Sequence, residues 1–213
     1  MTTAGSNFRR LIAPFALALA LTAPVAAAGP TDLSREMITA DPAAPVGGAA
    51  NGDVTIVAYV DYNCGFCKKS APALEKLVKD DGKIRLVYKD WPILAESSIF
   101  GAKLALAAKY QGRYEAAHKA LMTLKGGAVA TDKMEAAVAG AGVDMARLKA
   151  DAAAHDKEIV ALLKRNDAQA RGMLFQGTPV YLIGPLKVAA SLDYSQFKDA
   201  VAQARERAAK RTL

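Results

Sequence analysis

Hydrophobic residues in this chain form short continuous apolar runs that alternate with stretches of helical spacing. The run VTIVAYV (54–60) is apolar almost throughout and rich in β-branched residues, which predicts a strand buried on both faces of a sheet. From Lys68, apolar residues recur at helical spacing as far as Gly82, where the helix is expected to end. KIRLVYKD (83–90) predicts a second strand. Strand, helix and strand in this order indicate a parallel βαβ unit.

The pattern changes after the second predicted strand. Residues 95–172 are rich in alanine, are interrupted by glycines and show helical periodicity between the interruptions, which predicts an all-helical insertion of about four helices. Strand patterns return with PVYLIG (179–184) and, less clearly, with LKVAA (186–190), and an amphipathic helix pattern follows. The sequence therefore predicts one α/β domain, formed by residues 53–94 and 173–213 and interrupted by the insertion.

The first 28 residues have the pattern of a secretory signal peptide. Arg9 and Arg10 precede an uncharged apolar run that ends in small residues. We therefore expect residues 1–28 to be cleaved and the protein to be exported to the periplasm. An uncleaved membrane anchor is the alternative, because residues 11–28 approach the minimum length of a membrane span. Residues 29–52 are rich in proline, glycine and alanine, which predicts a leader segment with at most one short element.

Charge and composition exclude several classes of function. The formal net charge of +7 falls to +5 without Arg9 and Arg10, and the charged residues are spread along the chain, which indicates solubility and not nucleic-acid binding. The sequence contains neither a glycine-rich phosphate loop nor an acid–base cluster, so no cofactor is expected.

The only two cysteines of the chain, Cys64 and Cys67, follow the first predicted strand in the sequence DYNCGFCKKSAP (61–72). Structural zinc requires four Cys or His ligands, and His118 and His155 lie too far along the chain for a zinc finger or ribbon, so no metal site is predicted. We expect both histidines to be exposed or hydrogen-bonded helix residues. A copper(I) site made of two thiolates remains an alternative. A purely structural disulfide that closes so short a loop would add little stability.

A redox-active dithiol explains the position of the cysteines better. A cysteine at the start of a helix faces unpaired N–H groups and the positive end of the helix dipole, and both favour the thiolate. We therefore expect Cys64 to be the nucleophile and Cys67, one turn later, to attack the mixed disulfide formed at Cys64. Thr178 and Pro179 stand directly before a predicted strand, which favours a cis peptide bond that faces the dithiol.

These motifs resemble a known family. VDYNCGFCKKSAP after GDVTIVAY, then VYKDWPIL, a helical stretch and GTPVYLIG resemble the DsbA family of thiol:disulfide oxidoreductases, in the periplasmic DsbA-like group of the thioredoxin superfamily. The resemblance covers roughly residues 45–205. It implies a thioredoxin-like fold, with a central mixed β-sheet, flanking helices and a helical insertion. It also implies Cys64 as the attacking thiol, Cys67 as the resolving thiol, and Thr178 with cis-Pro179 as the residues that align the substrate backbone.

The sequence departs from the family pattern at two positions. The cysteines enclose Gly65 and Phe66, where the strongly oxidising namesake enzyme has Pro-His, and a threonine before the cis-proline resembles the isomerase and reductase branches. The direction of electron flow is therefore left open. The expected partners are cysteine-containing exported proteins and a redox partner, expected in the membrane, and the oligomeric state is not predicted. The competing hypothesis is a non-enzymatic thioredoxin-like protein that uses Cys64 and Cys67 to bind copper(I) or a partner.

Three further side chains near these motifs have predicted positions. Asp61 and Glu75 are the acidic residues nearest the cysteines, and we expect a solvated loop aspartate and a surface glutamate on a helix; a buried one could instead accept a proton from Cys67. Trp91, the only tryptophan, is expected to pack where the sheet meets the helical insertion.

Overall fold

The structure is a computed structural model that describes residues 1–2 and 32–210. The predicted signal peptide lies outside the described residues except for its first two positions. In the part of the chain that is described, none of the helices has the length and apolarity that a membrane span requires.

A mixed sheet of five strands forms the centre of the described chain. The strands are β1 (Val46–Gly48), β2 (Val54–Val60), β3 (Ile84–Asp90), β4 (Val180–Ile183) and β5 (Leu186–Val188), in the spatial order β1-β3-β2-β4-β5. Strands β2 and β3 are parallel, with Val54 opposite Ile84, and all other neighbouring pairs are antiparallel. The predicted βαβ unit is therefore confirmed, and it occupies the middle of the sheet.

Nine helices surround this sheet in residues 32–210. They are α1 (Arg35–Thr39), α2 (Gly65–Asp81), α3 (Glu96–Ala108), a 3-10 turn (Lys109–Gln111), α4 (Tyr114–Thr123), α5 (Thr131–Gly140), α6 (Met145–Ala154), α7 (Asp156–Gly172) and α8 (Tyr194–Lys210). Five α-helices, α3 to α7, lie between β3 and β4, where the sequence predicted about four. The difference arises at His155, whose backbone leaves the helical region (φ −112°, ψ 17°) without a glycine or proline to mark the break. The domain boundaries at residues 53–94, 95–172 and 173–213 stay a prediction.

Both faces of the central strands are buried, as their continuous apolar sequences predicted. On one face, Ile56 and Ala58 belong to the core that includes apolar residues of α2, α8 and the helical insertion. On the other face, Val57 and Tyr59 belong to a second cluster with residues of α1 and α7. Trp91 lies in this second cluster and donates a hydrogen bond from Nε1 to Asp167 Oδ1 on α7 (2.9 Å). Its predicted position, between the sheet and the insertion, is confirmed.

The prediction of at most one short element in residues 29–52 is wrong, because this segment contributes both α1 and an edge strand of the sheet. Strand β1 pairs antiparallel with β3, and Ile38 of α1 is buried. The strand has the sequence Val-Gly-Gly, so it shows no apolar pattern. Its glycines are needed for space: a Cβ at Gly47 would collide with the Glu115 carboxylate, and one at Gly48, where φ is +67°, would collide with the Ile84 carbonyl oxygen.

A buried ionic cluster attaches the same segment to the domain. Lys89 Nζ lies 3.2 Å from Asp41 Oδ2, and Arg165 donates to both carboxylate oxygens of Asp41 (2.8 and 3.0 Å). The side chains of Lys89 and Asp41 are fully buried. Burial alone would raise the pKa of Asp41, but the hydrogen bonds from Arg165 and the charge of Lys89 outweigh it and hold this pKa below its ordinary value.

A candidate dithiol active site at the start of helix α2

Cys64 is the N-cap residue of α2. Its backbone is extended (φ −78°, ψ 112°), and its Sγ accepts a hydrogen bond from the N–H of Cys67 at 3.1 Å. The sulfur therefore takes the place that a serine or aspartate oxygen occupies at many helix starts, where it meets N–H groups that have no partner within the helix. Both cysteines are buried, with exposed fractions of 3% for Cys64 and 1% for Cys67.

The loop before β4 completes the site from the opposite side. Cys64 Sγ donates a hydrogen bond to the carbonyl oxygen of Thr178 at 3.2 Å. The Thr178–Pro179 peptide bond is cis, as the sequence predicted. The structure thus brings Cys64, Cys67, Thr178 and Pro179 together, although 114 positions separate Cys64 from Thr178 in the chain.

The two thiols differ strongly in acidity. The hydrogen bond from the Cys67 side chain, helped by Thr178 and by the N–H groups of Cys67 and Phe66, lowers the pKa of Cys64 from 9.0 to about 6 against the effect of burial. Burial, reinforced by the nearby Cys64 sulfur, raises the pKa of Cys67 far above its ordinary value. Cys64 therefore ionises first and Cys67 keeps its proton. The roles of Cys64 as nucleophile and Cys67 as resolving thiol stay a prediction.

The expectation that Asp61 is a solvated loop residue is wrong. Asp61 is buried, and its carboxylate accepts four hydrogen bonds, from the N–H groups of Asn63 (2.7 Å), Ile93 (2.8 Å) and Leu94 (3.0 Å) and from Ser98 Oγ (2.7 Å). Three of these donors lie in the segment that joins β3 to α3 or at the start of α3. Asp61 therefore fastens the active-site loop to the helical insertion.

Asn63 makes a second connection of the same kind, and sequence reasoning missed it. Its Nδ2 donates to Ser97 Oγ and Ser98 Oγ, both at 2.9 Å, and its Oδ1 accepts from the N–H of Val129 at 2.9 Å. The only sequence signal was the pair of polar residues directly before Cys64 in the string DYNC. Glu75, by contrast, is exposed on α2 and pairs with Lys119 of α4 (2.5 Å), as expected for a surface glutamate.

A buried polar cluster lies behind the site, and it contains one of the two histidines. Tyr62 Oη lies 3.0 Å from His118 Nδ1, and Tyr114 Oη donates to both oxygens of Asp90 at 3.0 Å. Burial raises the pKa of Asp90 to about 7 and lowers the pKa of His118 to about 4. The other histidine, His155, stacks on the ring of Tyr110. Within residues 1–2 and 32–210, no group of three His, Cys, Asp or Glu side chains could hold a metal ion.

Large apolar side chains are exposed in the segments that form the candidate site or adjoin it in the chain. Phe66, between the two cysteines, is 67% exposed, and Leu174, shortly before the Thr178 loop, is 76% exposed. Ile93 and Leu94, whose N–H groups bind Asp61, are also exposed. Exposed apolar residues in the segments around a reactive site are typical of a surface that contacts another polypeptide.

Comparisons with known proteins agree with this geometry. The sequence model of the family described as Thioredoxin matches residues 40–203. A comparison with curated protein sequences gives no match. Among solved structures, a thioredoxin-like oxidoreductase from Silicibacter pomeroyi DSS-3 is 40% identical, with a TM-score of 0.75 over 81% of this chain and 98% of the other.

Two further structures are similar at lower identity. The thiol-disulfide exchange protein alpha-DsbA2 from Wolbachia pipientis is 26% identical, with a TM-score of 0.74 over 79% of this chain and 90% of the other. A periplasmic thioredoxin-like protein from Salmonella enterica serovar Typhimurium is 26% identical, with a TM-score of 0.70 over 80% and 95%.

These similarities confirm the thioredoxin-like fold with a mixed sheet and additional helices. They also support thiol–disulfide exchange as the general activity. The chain therefore belongs to the thioredoxin family, and its structural neighbours are DsbA-like thiol–disulfide oxidoreductases.

Proposed function

We propose that this protein exchanges the Cys64–Cys67 disulfide with cysteines of exported proteins through a mixed disulfide at Cys64. The observation that carries the proposal is the position of Cys64: its sulfur lies at the N-terminus of α2 and 3.2 Å from the Thr178 carbonyl oxygen, with its pKa lowered to about 6. A low pKa makes Cys64 both a nucleophile at neutral pH and a good leaving group.

The exchange takes place in two steps. A substrate thiolate attacks Cys64 Sγ, the bond between the two cysteines breaks, and Cys67 leaves and takes up a proton, which its raised pKa favours. A second substrate thiolate then attacks the substrate sulfur of the mixed disulfide. Cys64 leaves as a thiolate and the substrate keeps the new disulfide. In the reverse direction, Cys64 attacks a substrate disulfide and Cys67 resolves the product.

The surroundings of Cys64 suit a polypeptide substrate. Phe66, between the two cysteines, and Leu174, shortly before the Thr178 loop in the chain, present exposed apolar surface. The backbone before β4, at Thr178 and Pro179, lies against Cys64 and could align an extended substrate segment through backbone hydrogen bonds. Incompletely folded proteins expose both apolar side chains and free cysteines, so they fit this surface better than small thiols do.

The pKa of Cys64 also bears on the direction of electron flow. Thioredoxin has a thiol pKa of about 7 and a potential of about −270 mV, and DsbA has a pKa of about 3.5 and a potential of about −120 mV. A pKa of about 6 for Cys64 lies between these. We therefore expect an intermediate potential, with the disulfide donated to reduced substrates and restored by a redox partner in the membrane. Export to the periplasm is proposed from the signal-peptide pattern at residues 1–28 and from the periplasmic neighbour.

The test is the redox equilibrium of the mature protein in glutathione buffers, followed by mass spectrometry of the alkylated thiols. We expect one two-electron transition between about −270 and about −120 mV, and none in a Cys64→Ala variant. A Cys67→Ala variant should attack a disulfide that joins two peptides, release one peptide as a thiol and accumulate the mixed disulfide with the other, because no second cysteine is present to resolve it. A potential below that of thioredoxin would make the protein a reductase. Stoichiometric copper(I) binding without any exchange would favour the non-enzymatic alternative.

A further inference from the structure

A large groove lies between α2 and α4. Its volume is about 1510 Å³. The floor consists of sheet residues such as Val60 and Leu86, and the walls include Leu74 of α2 and Met122 of α4. The groove reaches Cys67, but Cys64, Thr178 and Pro179 do not line it. We call this surface the α2–α4 groove.

The rim of the α2–α4 groove is basic. Six lysines line it: Lys68, Lys69, Lys76, Lys79, Lys119 and Lys125. Two of the three acidic residues of the lining are paired with rim lysines, Glu75 with Lys119 and Asp80 with Lys76. The third, Glu115, accepts a hydrogen bond from Tyr88 and keeps its charge, so six lysines against three carboxylates leave a net positive charge of three.

The positive excess is therefore available to a bound molecule. Lys79 and Lys125 are exposed, and neither takes part in a salt bridge within residues 32–210. His118 also lines the groove, and because burial lowers its pKa to about 4 it adds no charge at neutral pH. An apolar floor below a rim of uncompensated lysines is complementary to a ligand with one apolar face and acidic flanks.

The size of the groove decides between a small molecule and a polypeptide. Sites for small molecules and cofactors usually enclose about 300–1,000 Å³, and this groove exceeds that range. A groove with an apolar floor between two helices is the kind of surface in which amphipathic helices bind, with one row of apolar side chains inserted. A flat membrane surface could not reach the floor of such a depression.

We propose that the α2–α4 groove binds an acidic, amphipathic helical segment of a partner protein. The bound segment would leave Cys64 and the Thr178 loop uncovered, so the partner could hold this protein while Cys64 reacts with a substrate. The proposal does not depend on the redox activity, because binding requires neither thiol.

The first probe is a synthetic helical peptide of about 15 residues, with leucine at helical spacing on one face and glutamate on the other. A peptide with lysine in place of each glutamate is the matched control. Binding is followed on mature protein with ¹³C-methyl methionine, since Met122 lines the groove while Met145 and Met173 do not. We expect the acidic peptide to shift the Met122 methyl resonance selectively, and the basic peptide to leave it unchanged.

Variants in which rim lysines are replaced by glutamate test whether the peptide binds in the α2–α4 groove. A Lys79→Glu/Lys125→Glu variant should bind the acidic peptide about tenfold more weakly or worse. A Lys164→Glu/Lys198→Glu variant, in which two exposed lysines outside the groove are inverted, should bind it normally.

The proposal would be overturned by no Met122 shift at about millimolar peptide, by equal binding of the two peptides, or by undiminished binding to the rim variant. A further result would also overturn the proposal. If vesicles with anionic lipids shift the Met122 resonance and the peptide does not, the groove binds membranes instead.

Discussion

The low pKa of Cys64 makes this thiol more ionised but its thiolate less reactive, and these two effects on its reaction rate should balance at a measurable pH. Replacement of Cys67 by alanine removes the hydrogen bond that contributes most to the low pKa of Cys64. If the pKa rose from about 6 all the way to 9.0, the Cys64 thiolate would be less populated but intrinsically more reactive. The N–H groups at the helix start remain in the variant, so the magnitudes below are upper limits.

The balance of the two effects depends on pH. At pH 5, the thiolate fraction would fall from about one in ten to about one in ten thousand, a loss of roughly 1,000-fold. A thiolate becomes more nucleophilic as its pKa rises, with a Brønsted coefficient of about 0.4–0.5, so the thiolate of the variant should be roughly 15- to 30-fold more reactive and offset part of this loss. The variant should therefore react up to about 30- to 60-fold more slowly at pH 5. At pH 9 the original thiol is fully ionised and the variant half ionised, so the variant should react up to roughly tenfold faster.

The assay is the rate of alkylation of Cys64 by iodoacetamide between about pH 4 and pH 9, counted as one added group by mass spectrometry. The two rate profiles should cross between about pH 7 and pH 8. A Lys79→Met variant, at the far end of the same helix, serves as the control and should follow the original profile. Parallel profiles without a crossing, or a midpoint near pH 9 in the original protein, would refute the assignment of the low pKa to Cys64 and its contact with Cys67.

Three further predictions concern stability, each measured by urea unfolding of the reduced protein. Compared with a Cys64→Ser variant, the free energy of unfolding should rise by up to about 3 kcal/mol more between pH 6 and pH 9, because the folded chain has released the Cys64 proton where the unfolded chain still holds it. This gain is lost as pH falls through 6. The comparison with the variant is needed because Asp90, whose pKa burial raises to about 7, loses stability over the same pH range in both proteins. An equal change in the two proteins would contradict the prediction. Asp61→Ala should cost about 3 kcal/mol or more, since it leaves buried donors unpaired, and a cost below about 1 kcal/mol would show that the loop does not depend on this carboxylate. Asp41→Ala should lower the free energy of unfolding by about 3–5 kcal/mol, because it leaves Lys89 buried without a counter-charge. Lys89→Met should lower it less, because Asp41 stays paired with Arg165. Equal losses in the two variants would argue against this account.

Much of the central architecture was predictable from sequence because it depends on local patterns. The strands at residues 54–60 and 84–90 are buried on both faces, so every position had to be apolar or paired, and their continuous runs are visible without knowledge of the fold. The position of Cys64 at a helix start follows from the strand, the cysteine and the helical spacing that succeed one another within 25 residues. The edge strand at residues 46–48 was not predicted, because its two glycines have no side chains and therefore show no hydrophobic pattern.

The amino-acid sequence alone therefore determined the βαβ unit and the position of the two cysteines at a helix start, since each is encoded by neighbouring residues. Only the tertiary structure decided that Asp61 is a buried acceptor and not a solvated carboxylate, because its donors at Ile93, Leu94 and Ser98 are more than 30 positions away. The same holds for Asp41, whose charge is balanced by Arg165 from 124 positions away. The pKa of a group and the shape of a groove depend on what surrounds them in space, and those neighbours are assembled only when the chain folds.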